Sequence, residues 1–162
     1  RRLEEMSRRD YLTDLYNRRA LMEKLDFEIK RRNRTKTSLS VVMLDLDHFK
    51  QVNDTHGHQV GDQVLVQVAD LLRKTVREID IVGRYGGEEF LVILPDCPAK
   101  EAVNVAERIR AGVAGFDFKI NINLTLSGGI AEFKGGNSDD LIGAADQNLY
   151  RAKQNGRNCI KS

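Results

Sequence analysis

The chain has 162 residues, of which 41% are hydrophobic and 31% are charged, and this length suits one domain with a proper core rather than two. Lysine and arginine (26 residues) nearly balance aspartate and glutamate (24 residues), so the charge gives no argument for nucleic acid, and no such partner is expected. No apolar run approaches the length of a membrane span, and no signal-peptide pattern is present. Cys97 and Cys159 have no metal-type spacing, which favours reduced thiols in a cytoplasmic domain over a disulfide.

The first residues are strongly charged and contain no initiating methionine. Leu3 and Met6 lie at helical spacing, so we expect residues 1–9 to be the end of a linker helix from an upstream domain. A basic arm for nucleic acid is the alternative, but Glu4 and Glu5 interrupt its positive charge. Residues 10–162 would then form the domain itself.

The first half of the domain predicts two helices with a strand between them. Apolar residues recur at helical spacing in the first helix, at Leu21, Leu25 and Ile29. The apolar run over 39–44 is typical of a strand that is buried on both faces. The stretch over 49–62 is short of apolar residues and contains two glycines. A second helix is clear from Gln63, with an apolar stripe that runs to Val76.

A hairpin is predicted next, because the apolar runs at 81–82 and 91–94 flank Gly86 and Gly87. A two-residue loop needs positive φ angles, which glycine adopts without steric cost. Glu88 and Glu89 then begin a strand that is otherwise apolar, although glutamate is a poor strand former. These acids fit a solvated turn and a metal-binding loop equally well.

The last third predicts a helix, two strands and a final helix. The helix carries an inward stripe at Ala102, Val105, Ala106, Ile109 and Val113. Alternating apolar residues predict a strand over 116–122, and a second strand over 124–130 is expected to be interrupted by Gly128 and Gly129. Ser138 is the predicted N-cap of the final helix, which Gly156 ends. The element order predicts an α+β fold, with a central mixed or antiparallel sheet of about five strands flanked by helices.

Two acidic clusters carry the predicted chemistry. Asp45 and Asp47 end the buried strand, and Asp45 with Glu88 or Glu89 could converge on one or two divalent cations, as phosphoryl and nucleotidyl transfer require. Oxygen ligands favour magnesium or manganese. A loop or substrate contact is favoured over a metal pair for His56 and His58. Three cations would suit a triphosphate, although each alone is typical of surface charge: Lys50, Lys153 and Arg157.

Five separated motifs, in order, resemble the GGDEF domain of diguanylate cyclases over essentially the whole chain. They are DYLTDLYNRR (10–19), DLDHFKQVND (45–54), GH and GD (57–58 and 61–62), RYGGEEF (84–90), and DQNLYRAK through GRN (146–158). The signature is the GGEEF variant. The resemblance implies a fold similar to the palm of nucleotidyl cyclases and polymerases.

The resemblance also implies a role for each matching residue. Asp45, the carbonyl of Leu46 and Glu88 would hold magnesium or manganese. The substrate-binding residues would be Asn53 and Asp62 on guanine, His58 against the nucleotide, Lys153 and Arg157 on the triphosphate, and Gly86 and Gly87, which let the nucleotide lie close to the backbone. Glu89 and Lys50 would be catalytic, with Glu89 assisting deprotonation of the attacking 3′-hydroxyl and Lys50 also holding the triphosphate.

The implied reaction condenses two GTP into cyclic di-GMP and two pyrophosphates. Because one domain binds one GTP, two domains must face each other as a homodimer. An upstream sensory or receiver domain would control that encounter in the cytoplasm, even in a membrane-anchored full-length protein. Arg77 and Asp80 match the family's RxxD product-binding site, which Arg108 often joins, and they imply inhibition by cyclic di-GMP.

Two other functions compete with this interpretation. An inactive GGDEF module would act as a receptor for GTP or cyclic di-GMP, but such modules usually lose the signature acids or the guanine-reading pair, and neither is lost here. A cyclase making a different cyclic nucleotide is disfavoured by Asp62, since a carboxylate accepts the N1 and N2 donors that guanine offers. Many members of the family have an apolar residue where this chain has Gly128, and we expect this glycine to loosen the local packing.

Overall fold

Residues 7–162 are the part of the chain that the structure, a computed structural model, describes, and they form five helices and five strands. In chain order they are α1 (Arg18–Thr35), β1 (Leu39–Leu46), α2 (Phe49–His56), α3 (His58–Thr75), β2 (Ile81–Arg84), β3 (Glu89–Pro95), α4 (Ala99–Ala114), β4 (Leu126–Glu132), α5 (Ser138–Gln154) and β5 (Ile160–Lys161). The predicted linker helix falls mostly on residues 1–6, outside the described part. Within residues 7–162, none of the helices combines the length and the apolar character that a membrane span requires.

The strands form one mixed sheet in the order β2-β3-β1-β4-β5. The central strand β1 is antiparallel to both β3 and β4, whereas β4 and β5 are parallel. The register places Asp45 opposite Glu89 of β3 and opposite Ser127 of β4. The predicted α+β fold with a five-stranded mixed sheet is therefore confirmed, and its centre carries one of the predicted acids.

Side chains of β1 alternate between two hydrophobic cores, one on each face of the sheet. Val42 and Leu44 pack with residues of α2, α3 and α4, whereas Val41 and Met43 pack with residues of α1 and α5. Because both faces are covered, β1 is apolar until Asp45 except at Ser40, whose buried hydroxyl donates to the Cys97 carbonyl at 2.7 Å. The first polar side chains at its end therefore lie where the helical layers stop.

Two helices replace the single predicted helix that follows β1. The stretch over 49–62 contains α2 and the start of α3, separated by Gly57 at a φ of 86°. The sequence placed the second helix at Gln63, whereas it begins at His58. Glycine at 57 permits the left-handed backbone between the helices, and the few apolar residues of α2, Phe49 and Val52, are the ones it buries.

The predicted strand over 116–122 is wrong, and a short strand was missed. Lys119 takes a φ of 63°, and its N–H donates to the Asp117 side chain at 2.9 Å, which turns the chain before any strand forms. Phe116 and Phe118 instead meet edge to face, with ring centroids 4.7 Å apart. The missed strand β5 has only two residues, too few for any periodicity.

The glycines of the hairpin and of β4 act differently from the prediction. Four residues, 85–88, separate β2 from β3, and neither Gly86 nor Gly87 takes a positive φ. β4 runs uninterrupted through Gly128, where a Cβ atom would meet Ile160 Cδ1 at 2.7 Å, so the site is tightly filled rather than loose. Asn137, not Ser138, caps α5, with a reciprocal contact to Asp140.

Candidate active site

The end of β1 and the hairpin turn bring two predicted metal ligands together. The N–H of Leu46 donates to the carbonyl of Glu88 at 3.2 Å, next to the pairing of Asp45 with Glu89. The carboxyl groups of Asp45 and Glu88 are consequently close enough for each to perturb the pKa of the other. The sheet register, rather than any local motif, creates this pair.

Burial and mutual repulsion disfavour the charged forms of these acids. Burial raises the pKa of Asp45, and Asp47 adds to the effect, although Lys153 opposes it. Burial also raises the pKa of Glu88, which Asp45 raises further. Burial, Asp45 and Asp146 together raise the pKa of Glu89. A cation bound among these carboxylates would reverse that preference for the protonated forms.

The residues around Asp45 fit a divalent cation. Its Oδ1 atom is buried and accepts no hydrogen bond, although Lys153 Nζ lies 3.3 Å away as an ion-pair partner. Residues 7–162 contain no group of three or more histidine, cysteine or acidic side chains arranged to hold a metal. Magnesium nevertheless needs only one or two carboxylates when phosphates and water complete its shell. Asp45, Glu88 and the Leu46 carbonyl suffice for that arrangement.

Asp47, the second acid of the pair, is a structural anchor. It is only 3% exposed and accepts from Thr125 Oγ1 at 2.7 Å and from Ser127 Oγ at 2.8 Å. The backbone N–H of Asn158 adds a third bond at 3.0 Å, and Lys153 Nζ lies 3.5 Å away. With both oxygens occupied, Asp47 ties the end of β1 to β4 and to the turn after α5.

Of the three predicted phosphate-binding cations, the structure brings one to the acids. Lys153 is half-buried and lies between Asp45 and Asp47. Lys50 in the first turn of α2 and Arg157 after α5 are exposed, and their side chains form no ion pair or hydrogen bond with residues 7–162. Their side chains are therefore free to meet a ligand from solvent.

The predicted guanine-reading residues lie on the two helices that follow β1. Asn53 on α2 packs against Gly61 of α3 so closely that a Cβ atom at 61 would overlap its side-chain oxygen. Asp62 is exposed and borders a surface depression of 350 Å³ that is also lined by Leu12, Gln63, Val66 and Gln67. His58 is the exposed first residue of α3. Glycine at 61 thus sets where the Asn53 amide lies.

Arg77 and Asp80 pair with each other in the turn after α3. Arg77 Nη2 donates to Asp80 Oδ1 at 2.7 Å and to the Pro95 carbonyl at 2.7 Å. The bond to Asp80 raises the pKa of Arg77. Arg108 is exposed on α4, and its side chain contacts no partner within residues 7–162.

Two further cations position the hairpin and were missed from the sequence. Arg84 donates to the Gly87 carbonyl at 2.7 Å and pairs with Asp10 at 3.2 Å, which joins the turn to the N-terminal motif. Arg18 of α1 lies 4.1 Å from the centre of the Tyr85 ring and donates to its hydroxyl at 2.9 Å. All these side chains lie in the motifs that resemble the GGDEF domain, and only their position in those motifs could have marked them in the sequence.

Comparisons with known proteins agree with this geometry. The family described as "Diguanylate cyclase, GGDEF domain" matches residues 7–159. The response regulator PleD of Caulobacter vibrioides is 40% identical over 96% of this chain, which spans 36% of PleD. The GGDEF domain of DgcB from Caulobacter crescentus, solved with c-di-GMP, superposes with a TM-score of 0.90 at 37% identity, over 95% of this chain and 92% of that one.

A third relative carries the same signature variant in its description. It is the active GGEEF domain of a diguanylate cyclase from Vibrio cholerae, with a TM-score of 0.86 at 34% identity, over 90% of this chain and 95% of that one. Sequence, fold and the acid pair at the end of β1 point to one conclusion. The chain belongs to the GGDEF domain family of diguanylate cyclases.

Proposed function

We propose that this domain condenses two molecules of GTP into cyclic di-GMP and releases two pyrophosphates. The observation that carries the proposal is the Asp45–Glu88 pair. One oxygen of Asp45 is buried and receives no hydrogen bond, and Lys153 lies beside it. A receptor module would not need this costly concentration of buried acids. Relatives named as diguanylate cyclases, such as DosC of Escherichia coli at 43% identity, support the same activity.

The site residues divide the work of the reaction. Asp45, Glu88 and the Leu46 carbonyl would hold magnesium or manganese, which supplies charge neutralisation on the triphosphate when bound. Lys153, Lys50 and Arg157 bind and orient the phosphates. Lys153 lies beside Asp45, and its ammonium has three N–H donors, so one of them would turn to a phosphate when the nucleotide binds.

Base selection and proton removal fall to other side chains. Asp62 accepts from guanine N1 and N2, which adenine cannot match, and Asn53 offers both a donor and an acceptor. His58 lies against the nucleotide, and Gly86 and Gly87 let it approach the hairpin backbone. Glu89 takes the proton of the attacking 3′-hydroxyl.

The reaction requires two copies of the domain. Each holds one GTP, so the 3′-hydroxyl of one nucleotide must reach the α-phosphate of the other across a two-fold axis. An upstream sensory or receiver domain would set how often the copies meet. PleD, which extends far beyond the matched region, is named a response regulator and supports such control.

Incubation with GTP and magnesium, followed by chromatography for cyclic di-GMP at several protein concentrations, tests the activity. We expect product whose rate rises more than linearly with protein concentration. Glu88→Ala should abolish it, whereas Asp26→Ala, which removes an exposed acid on α1, should not. No product at high concentration or with an artificial dimeriser refutes the proposal, and cyclic di-GMP binding without turnover would establish a receptor instead.

Product inhibition at Arg77, Asp80 and Arg108 is the regulatory part of the proposal. Arginine clamps a guanine edge or a phosphate, and aspartate accepts guanine donors. Arg77 is held by Asp80 and by the Pro95 carbonyl, and the Asp80 side chain is buried beneath it, so cyclic di-GMP would bind in competition with this ion pair. Arg77→Ala should weaken cyclic di-GMP binding and remove the turnover plateau. Unchanged affinity and an unchanged plateau contradict the assignment.

A further inference from the structure

The turn between α5 and β5 has an unusual backbone. Gly156, Arg157 and Asn158 take φ angles of 98°, 64° and 46°, three consecutive left-handed residues of which two are not glycine. Such conformations are uncommon outside glycine and persist only where surrounding contacts hold them. This turn carries Arg157, one of the proposed phosphate-binding cations. The contacts that hold it therefore bear on the active site.

The N–H of Arg157 donates to the Ala152 carbonyl of α5 at 3.1 Å, and Asn158 adds contacts to the turn in two further directions. Its backbone N–H donates to the buried Asp47 Oδ2 at 3.0 Å. Its side-chain Oδ1 accepts from Arg110 Nη1 of α4 at 2.8 Å. The guanidinium of Arg110 is itself oriented by Glu107, whose carboxylate its Nε approaches at 3.1 Å.

The same carboxylate, Asp47, lies 3.5 Å from Lys153 Nζ in the last turn of α5. Lys153 and Arg157 are thus both placed relative to one buried anchor, which Asn158 connects to α4. We propose that Asn158 is a positioning residue of the triphosphate site: by bridging Arg110 and Asp47, it fixes the backbone from which Lys153 and Arg157 reach the phosphates. This inference rests on the proposed GTP-condensing function.

The physical basis is preorganisation. Long cationic side chains lose conformational entropy when they close on a ligand, and a fixed backbone reduces that cost. The bridge therefore strengthens phosphate binding and leaves the chemical step untouched. The alternative is that asparagine occurs at 158 only because it adopts the left-handed conformation more readily than most residues.

Two variants separate these roles. Asn158→Gly keeps the left-handed backbone and removes the acceptor of Arg110, whereas Arg110→Ala keeps Asn158 and removes the donor together with its ion pair to Glu107. Arg151→Ala is the matched control, because the Arg151 side chain donates to the Asn148 side chain at 2.9 Å on the helix that carries Lys153, and its backbone bond to Asn155 is kept in the variant. The double variant Asn158→Gly/Arg110→Ala tests whether both changes break one bridge.

The experiment measures binding of a non-hydrolysable GTP analogue with magnesium, together with kcat and KM at fixed protein concentration. We expect each single variant to raise Kd and KM about threefold to tenfold, the effect of losing one ordinary hydrogen bond, with little change in kcat. The double variant should be no weaker than either single one, and Arg151→Ala should match wild type.

The outcomes distinguish this inference from the proposed function. A lower kcat with unchanged KM and a lower melting temperature would show a merely structural role and overturn the inference. Analogue affinities within twofold of wild type in both single variants would also overturn the inference. In that case, synthesis of cyclic di-GMP by the wild type would still support the proposed function. A wild-type domain that binds no GTP analogue overturns both.

Discussion

Gly129 is where β4 and α5 approach most closely, and its replacement by alanine should be strongly destabilising. A Cβ atom there would lie 2.8 Å from Asn148 C, which is 0.6 Å short of the 3.4 Å at which ordinary contact begins. The carbonyl oxygen of Ala145 and the amide nitrogen of Leu149 would lie closer still. All three are backbone atoms, so no side chain can rotate away. The helix itself must move.

We expect Gly129→Ala to lower the free energy of unfolding by about 3 kcal/mol, the upper end of the range for overpacked cores. Movement of α5 would also carry Lys153 away from Asp45 and weaken GTP binding. Urea denaturation followed by circular dichroism measures the first effect, and analogue titration measures the second.

Gly143→Ala is the matched control, on α5 itself. A Cβ atom at 143 meets nothing within 4 Å, so this variant should gain about 0.5 to 1 kcal/mol from helix propensity. A loss below about 1 kcal/mol in Gly129→Ala, with an unchanged denaturant slope, would refute the claim that this contact sets the position of α5.

Three further predictions concern the site. Asp47→Asn should lower the free energy of unfolding by about 3 kcal/mol in urea denaturation, because the buried carboxylate accepts several hydrogen bonds and asparagine would replace one acceptor oxygen with an amide donor. The exposed Asp54→Asn should change the free energy of unfolding by less than about 0.5 kcal/mol. Burial and Asp45 raise the pKa of Glu88 above its ordinary 4.5, so the folded state binds more protons there and stability falls as the pH rises through the folded pKa. Without divalent cations, Glu88→Gln should flatten that fall in a pH series of denaturation curves, and an unchanged slope would contradict it. Gly61→Ala should displace the Asn53 side chain and raise the Kd of a GTP analogue with little loss of stability, and wild-type affinity would show that Asn53 does not contact guanine.

Strong periodicity made most of the fold predictable. The helices α1, α4 and α5 and the strand β1 bury long apolar stripes, so their patterns are set by the core they build. The strand expected over 116–122 failed for the opposite reason. Phe118 is buried in an irregular segment, where apolar alternation reflects core contact without sheet pairing. The helix α2 was hidden because only Phe49 and Val52 face the core.

The division of labour between Asp45 and Asp47 shows what the sequence could not provide for the site. Both acids follow the same apolar run, and no local pattern separates the acid that we propose as a metal ligand from the acid that anchors the strand end. The difference arises at the end of β1, where the Asp47 N–H donates to the Thr125 carbonyl and its side chain accepts from the hydroxyl groups of Thr125 and Ser127. Asp45 stays within the sheet register and keeps one oxygen without a donor.

Lys153 connects the two acids, and its position explains how one carboxylate can be kept ready for a cation. Its Nζ lies 3.3 Å from Asp45 Oδ1 and 3.5 Å from Asp47 Oδ1, so it partly neutralises Asp45 without closing that oxygen in a hydrogen bond. Asp47 is satisfied by other donors and does not need the amine. We therefore expect Asp47 to stay anchored if Lys153 turns to a bound phosphate, and Asp45 would then be available to hold a cation.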